Sequence, residues 1–132
     1  MNKSNWDKKI NRQRRVNQEI FTWYKKRYDE SATLLRDTVT GNKGTVIIKE
    51  DRMCHQTGYY ALESITGAQD DDLLVLVDWE YVVIIPVKGF NKLLDTLEVK
   101  KIKNGKILIP RHKVLDCLFA EVIERWFPIY DG

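Results

Sequence analysis

Cysteine is scarce in this 132-residue chain: Cys54 and Cys117 are the two present. Two cysteines cannot build a disulfide framework, and they do not form a Cys-x-x-Cys pair, so a stapled secreted scaffold and a zinc ribbon are excluded. Histidine is equally rare, with His55 and His112 and no His-x-x-x-His spacing, so no metal is expected. Cys54-His55 does not make a nucleophile pair either, because neighbours in sequence rarely bring their side chains into mutual reach. No Gly-rich phosphate cradle, repeat or low-complexity segment occurs, and we expect no cofactor. No apolar run reaches the roughly 20 residues needed to span a bilayer. Lys8 to Arg15 is dense in charge where a signal peptide would be apolar. The expected localisation is therefore cytoplasmic.

What is present is an uneven distribution of charge. Residues 1–30 carry nine Lys/Arg against four acids, a net +5. Residues 31–132 carry thirteen bases against fifteen acids, a net −2. A basic arm on a mildly acidic body points to a polyanionic partner.

The arm reads as a helix. Ser4 to Asp7 fits a capping box, and neither Pro nor Gly occurs from there to Tyr28. At about 100° per residue, Trp6, Ile10, Val16, Ile20, Phe21, Trp23, Tyr24 and Tyr28 fall within an arc of about 160°. Lys8, Arg12, Arg15 and Lys26 gather opposite. The helix is about 23 residues long, on the order of 35 Å. Its aromatic face is expected to pack on the rest of the chain. Membrane-surface binding and base stacking are weaker readings of the same face.

Thr45–Ile48 is a short β-branched strand after Gly41 and Gly44. Residues 50–57 read as a loop, and Tyr59–Ile65 fits a strand or a helical turn. Asp70-Asp71-Asp72 caps the entry to the apolar strand Leu73–Val77. A turn at Asp78-Trp79-Glu80 leads to a second apolar strand, Tyr81–Val87. Strands apolar on both faces predict a central sheet covered on both sides. Pro86 marks an edge, a bulge or a strand end. Gly89–Leu97 reads as a short helix. Asn104-Gly105 predicts a hairpin between 99–103 and 106–109. After Pro110, the spacing of Val114, Leu115, Leu118, Phe119, Val122, Ile123 and Trp126 predicts a C-terminal helix running towards Pro128. The expected fold is α+β in a single domain, residues 1–132. A basic helix at 1–30 packs on an α/β core at 44–128 that contains a central mixed sheet.

Two stretches resemble known families. Asp72-Leu-Leu-Val-Leu-Val through Val83-Ile-Ile-Pro-Val-Lys88 resembles the PD-(D/E)XK nuclease superfamily, with Glu19 on the leading helix as a further acid. The resemblance implies a divalent metal held by Asp72 and a charge-stabilising Lys88. Pro86 stands where that family has an acid two residues before the lysine, so Glu80, Glu63 or another acid would have to replace it. Gly105–Pro110 followed by a helix resembles swapped-hairpin transcription regulators of the AbrB type, which implies DNA binding by a dimer.

The sequence thus leads us to expect a small non-enzymatic nucleic-acid-binding protein of phage or mobile-element type. Lys8, Arg12, Arg14, Arg15, Lys25 and Lys26 would contact DNA or RNA, with Lys101 and Lys103 of the hairpin as a second basic patch. The alternatives are an inhibitor of a nucleic-acid-handling machine and a divergent nuclease. For the inhibitor, Asn11–Glu19 resembles the basic arms of anti-CRISPR proteins, and an acidic protein surface would be the partner.

Overall fold

The computed structural model describes residues 3–51, 53–62, 68–97, 101–103 and 105–124. Its N-terminal element is the helix α1, Lys3–Arg27. The helix runs through Ser4 rather than starting after it, so Ser4 is not its cap. Val16, Ile20 and Tyr24 recur every fourth residue and are buried, which puts one narrow stripe of α1 on the core. The buried stripe is narrower than the aromatic arc suggests, since Tyr28 at the helix exit is exposed. The Trp6 side chain lies outside the described residues.

Among the described residues the main sheet holds six strands, in the order β1 (Thr33–Leu35), β2 (Thr38–Gly41), β3 (Gly44–Glu50), β5 (Leu73–Val77), β6 (Tyr81–Pro86) and β9 (Glu121–Glu124). β3 and β5 are parallel, and the other neighbours are antiparallel. A second sheet has the order β4 (Tyr59–Leu62), β8 (Lys106–Pro110) and β7 (Lys101–Lys103), all antiparallel.

The alternation of side chains in β5 and β6 explains the unbroken apolar runs. Val75, Val77, Val82 and Ile84 point to the face covered by α1. Leu74, Leu76, Val83 and Ile85 point to the opposite face, where they meet Tyr60, Leu62 and Ile109 of the second sheet. Phe90 and Leu93 of α3 (Val87–Asp95) and Val114 of α4 (Arg111–Leu115) complete that second core. Each strand therefore buries both faces, as the sequence predicted.

Three expectations change. Residues 50–57 are not all loop: Cys54–Thr57 forms the one-turn helix α2, closed by Gly58 at φ +81°. Tyr59–Leu62 resolves as strand, while Glu63 lies outside the described residues. The helix after Pro110 stops at Leu115, and Glu121–Glu124 is an edge strand paired with β6. Leu118 is 97% exposed, so the helical spacing there marks no buried face. Edge pairing with Tyr81–Ile84 and packing of Ile123 on the core outweigh the local helical pattern. Trp126 lies outside the described residues.

Candidate nucleic-acid interface

The basic residues of α1 differ in their surroundings. Lys8, Arg15 and Lys26 are exposed on the side away from the core. Lys25, Lys26 and Arg27 occupy the last turn, where positive charge also complements the helix dipole. The Lys25 ammonium sits 5.7 Å from the centre of the Phe21 ring. Arg12 turns inward instead. Its Nε donates to Glu50 Oε1 at 2.8 Å, and the Glu50 side chain is only 5% exposed. Arg12 is therefore part of the attachment of α1 to β3.

Arg14 leaves the helix on the other flank of the core stripe and lines a cleft of about 540 Å³. The cleft runs between α1, the β1–β2 turn, the end of β3, β4 and β8. Its apolar lining comes from Ile10, Ile48, Ala61 and Leu62, at the seam where the two sheets meet. Arg36, Lys49 and Lys106 add positive charge, while Asp37 and Glu50 add negative charge. The Lys49 ammonium lies 3.3 Å from Asp37 Oδ2. Arg14, Arg36 and Lys106 form no ion pair among the described residues. The cleft thus brings Arg14 of α1 to the same opening as Lys106 of the hairpin. Lys101 and Lys103 belong to β7, next to β8, and their side chains lie outside what is described.

Arg36 stands in an unusual backbone position. It is the first residue of the two-residue loop between Leu35 and Thr38, with φ +59°. Positive φ at the first loop residue alone is the pattern of a type II′ turn, where glycine is the unstrained choice. An arginine there costs about 1 kcal/mol of local strain. The turn is anchored to the helix by Asn17, whose Nδ2 donates to the Arg36 carbonyl at 3.0 Å. The sequence reading missed Arg36 and Lys49. The only signal for Arg36 was an Arg-Asp pair between two Thr-containing segments too short to stand out as strands.

Of the nuclease-like residues, Asp72 has a structural role. Asp72 is buried, and its carboxylate accepts the amides of Thr45 at 3.2 Å and Gln69 at 2.8 Å. Those bonds tie the entry of β5 to β3 and to the preceding loop. Lys88 is exposed in the first turn of α3, Glu19 is exposed on α1, and Pro86 faces Leu73 at the end of the β5–β6 pairing. Glu80 is exposed and contacts Arg111 at 3.1 Å. No group of three or more acids, histidines or cysteines suited to a metal exists among the described residues.

Cys54 and Asp78 form a second polar centre. Asp78 is fully buried and accepts Tyr60 Oη at 2.6 Å, the amides of Glu80 and Tyr81, and Arg111 Nε at 3.3 Å. Burial, reinforced by the charges of Asp78 and Asp51, pushes the Cys54 thiol up to about 12. A thiol held protonated is no nucleophile. His55 stacks on Trp79 with ring centres 6.1 Å apart, and His112 is exposed on α4. β8 pairs with β4 and β7 of its own chain.

No protein-family model, curated protein or solved structure matches this chain. The functional reading therefore rests on geometry and charge. Among the described residues, no helix is long and apolar enough to cross a membrane.

Proposed function

We propose that the protein binds the phosphate backbone of a nucleic acid without acting on it chemically, as a cytoplasmic accessory factor of phage or mobile-element type. The observation that supports this most directly is the meeting of Arg14, Arg36 and Lys106 at one cleft, beside the exposed Lys8, Arg15 and Lys26 of the same helix. Rigid placement of lysine and arginine along a helix favours phosphate contact, because each neutralised phosphate releases condensed counterions. Arg12 is not in this set, since it serves Glu50.

The test is fluorescence anisotropy with labelled DNA and RNA across a salt series. Contacts to about four phosphates predict a log–log salt slope of roughly −3 to −4. A triple charge reversal, Lys8→Glu, Arg15→Glu and Lys26→Glu, should weaken binding to every sequence alike. Absent or salt-independent binding sinks the proposal. An acidic protein surface could meet the same charges. Pull-down with and without nuclease treatment separates the two, because a protein partner survives the nuclease.

A further inference from the structure

We infer that the cleft beside α1 seats one nucleotide of a single strand, so that the protein prefers single-stranded to duplex nucleic acid. The inference rests on the phosphate-binding reading and makes it specific. Three observations carry it.

The first is size. A cavity of about 540 Å³ falls within the range of small-ligand pockets and exceeds what a bare phosphate fills. It is too small to admit a duplex, whose major groove alone is about 12 Å wide. A duplex would be confined to the outer face of α1.

The second is chemistry. Arg14 of α1 and Lys106 of β8 both line the cleft and match a phosphodiester in charge. The half-buried Ile10 and Ala61 along the apolar seam offer a surface for a sugar or base. Asn17 spends its amide NH₂ on the Arg36 carbonyl, which leaves its side-chain oxygen able to accept from a base edge. Phosphate-only binding would not use an apolar seam.

The third is Arg36. A glycine in this turn would relieve the backbone, yet a guanidinium stands there and lines the cleft. Strain at a residue whose side chain faces a cavity is the pattern expected of a binding group.

The experiment compares a 12-nucleotide single strand with a blunt hairpin duplex of equal length, in DNA and RNA, at low salt. The single strand should bind at least tenfold tighter. Arg36→Gly should lower single-strand affinity about tenfold, lower duplex affinity by a clearly smaller factor and keep a melting temperature no lower than that of the unchanged protein. Lys106→Glu, on an exposed strand position, should show the same selectivity. Lys8→Glu with Lys26→Glu should weaken both ligands. Equal, salt-dependent binding of strand and duplex, or equal loss of both on Arg36→Gly, overturns the cleft inference and leaves the broader reading in place. Binding of neither ligand overturns both.

Discussion

Tyr60 and Asp78 face each other across the seam between the two sheets, with the phenol hydroxyl donating to Oδ2 at 2.6 Å. Both residues are fully buried. Burial, then the bond to Asp78 and its charge, raises the pKa of Tyr60, so the hydroxyl remains a donor. Arg111 Nε donates to the same oxygen at 3.3 Å, its Nη2 reaches Oδ1 at 3.5 Å, and its guanidinium lies 5.2 Å from the Tyr81 ring. The small sheet is thus held against the large one by one buried acid with donors on both its oxygens. The same small sheet lines the cleft through Ala61, Leu62 and Lys106.

Tyr60→Phe removes the donor and keeps the ring. The buried carboxylate then loses one charge-assisted bond, which costs about 1–3 kcal/mol. Urea unfolding should show a lower midpoint with an unchanged slope. A midpoint equal to that of the unchanged protein would mean that Tyr60 contributes only its ring.

The two thiols should separate in reactivity. Cys54 is buried with its ionisation pushed up to about 12, while Cys117 is half-buried. An aromatic disulfide reagent at pH 8 should label no more than one thiol per native chain, and both in denaturant. Linkage adds a second expectation. A folded pKa above the unfolded value of about 8.5 gives stability that is complete below that value and lost as pH rises towards the folded one. Unfolding free energy should therefore decline above about pH 8.5, and less steeply in Cys54→Ala. Rapid native labelling of both thiols would contradict the buried site.

Asp29 predicts the acid limb. Its carboxylate accepts the Ser31 hydroxyl and amide and the Lys43 amide at 2.9 Å, closing the exit of α1 onto the β2–β3 turn. The Ser31 hydroxyl bond is the largest cause of its lowered pKa, followed by the Lys43 amide. A depressed folded pKa gives stability present above the unfolded value of about 3.9 and lost as pH falls through the folded one. Acid unfolding should thus begin below about pH 4 and be shallower in Asp29→Asn. Gly41→Ala should weaken the same joint, since a Cβ there would run into the Asp29 carboxylate. Equal acid profiles for Asp29→Asn and the unchanged protein would remove Asp29 from the acid transition.

Strong local patterns were legible in the sequence. The helix through Val16, Ile20 and Tyr24, the doubly buried strands at 73–77 and 81–86, and the hairpin around Gly105 each carry their own periodicity or turn signal. β1 and β2 do not, because Thr33–Leu35 and Thr38–Gly41 are too short for an alternation to register. β9 was misread because helical spacing and strand edge compete within Leu118–Glu124, and only the open edge of β6 decides between them. The basic face of α1 was legible as charge. The cleft was not, because Arg14, Arg36 and Lys106 lie far apart in sequence and meet only through the packing of α1 and both sheets. The sequence also could not separate Arg12 from its neighbours, since its partner Glu50 lies 38 residues away.

That separation is itself testable. Arg12→Ala deletes the guanidinium beside an almost buried carboxylate and should cost about 1.5–3 kcal/mol, read as a lower thermal and urea midpoint. Lys8→Ala, on the exposed face, should change stability by no more than about 0.5 kcal/mol. The order reverses for nucleic-acid affinity in conditions where both variants are folded. Lys8→Ala should flatten the salt dependence by about one phosphate contact, whereas Arg12→Ala should leave the slope unchanged. If Arg12→Ala instead lowers the slope without lowering the midpoint, Arg12 belongs to the interface and its pairing with Glu50 is dispensable to the fold.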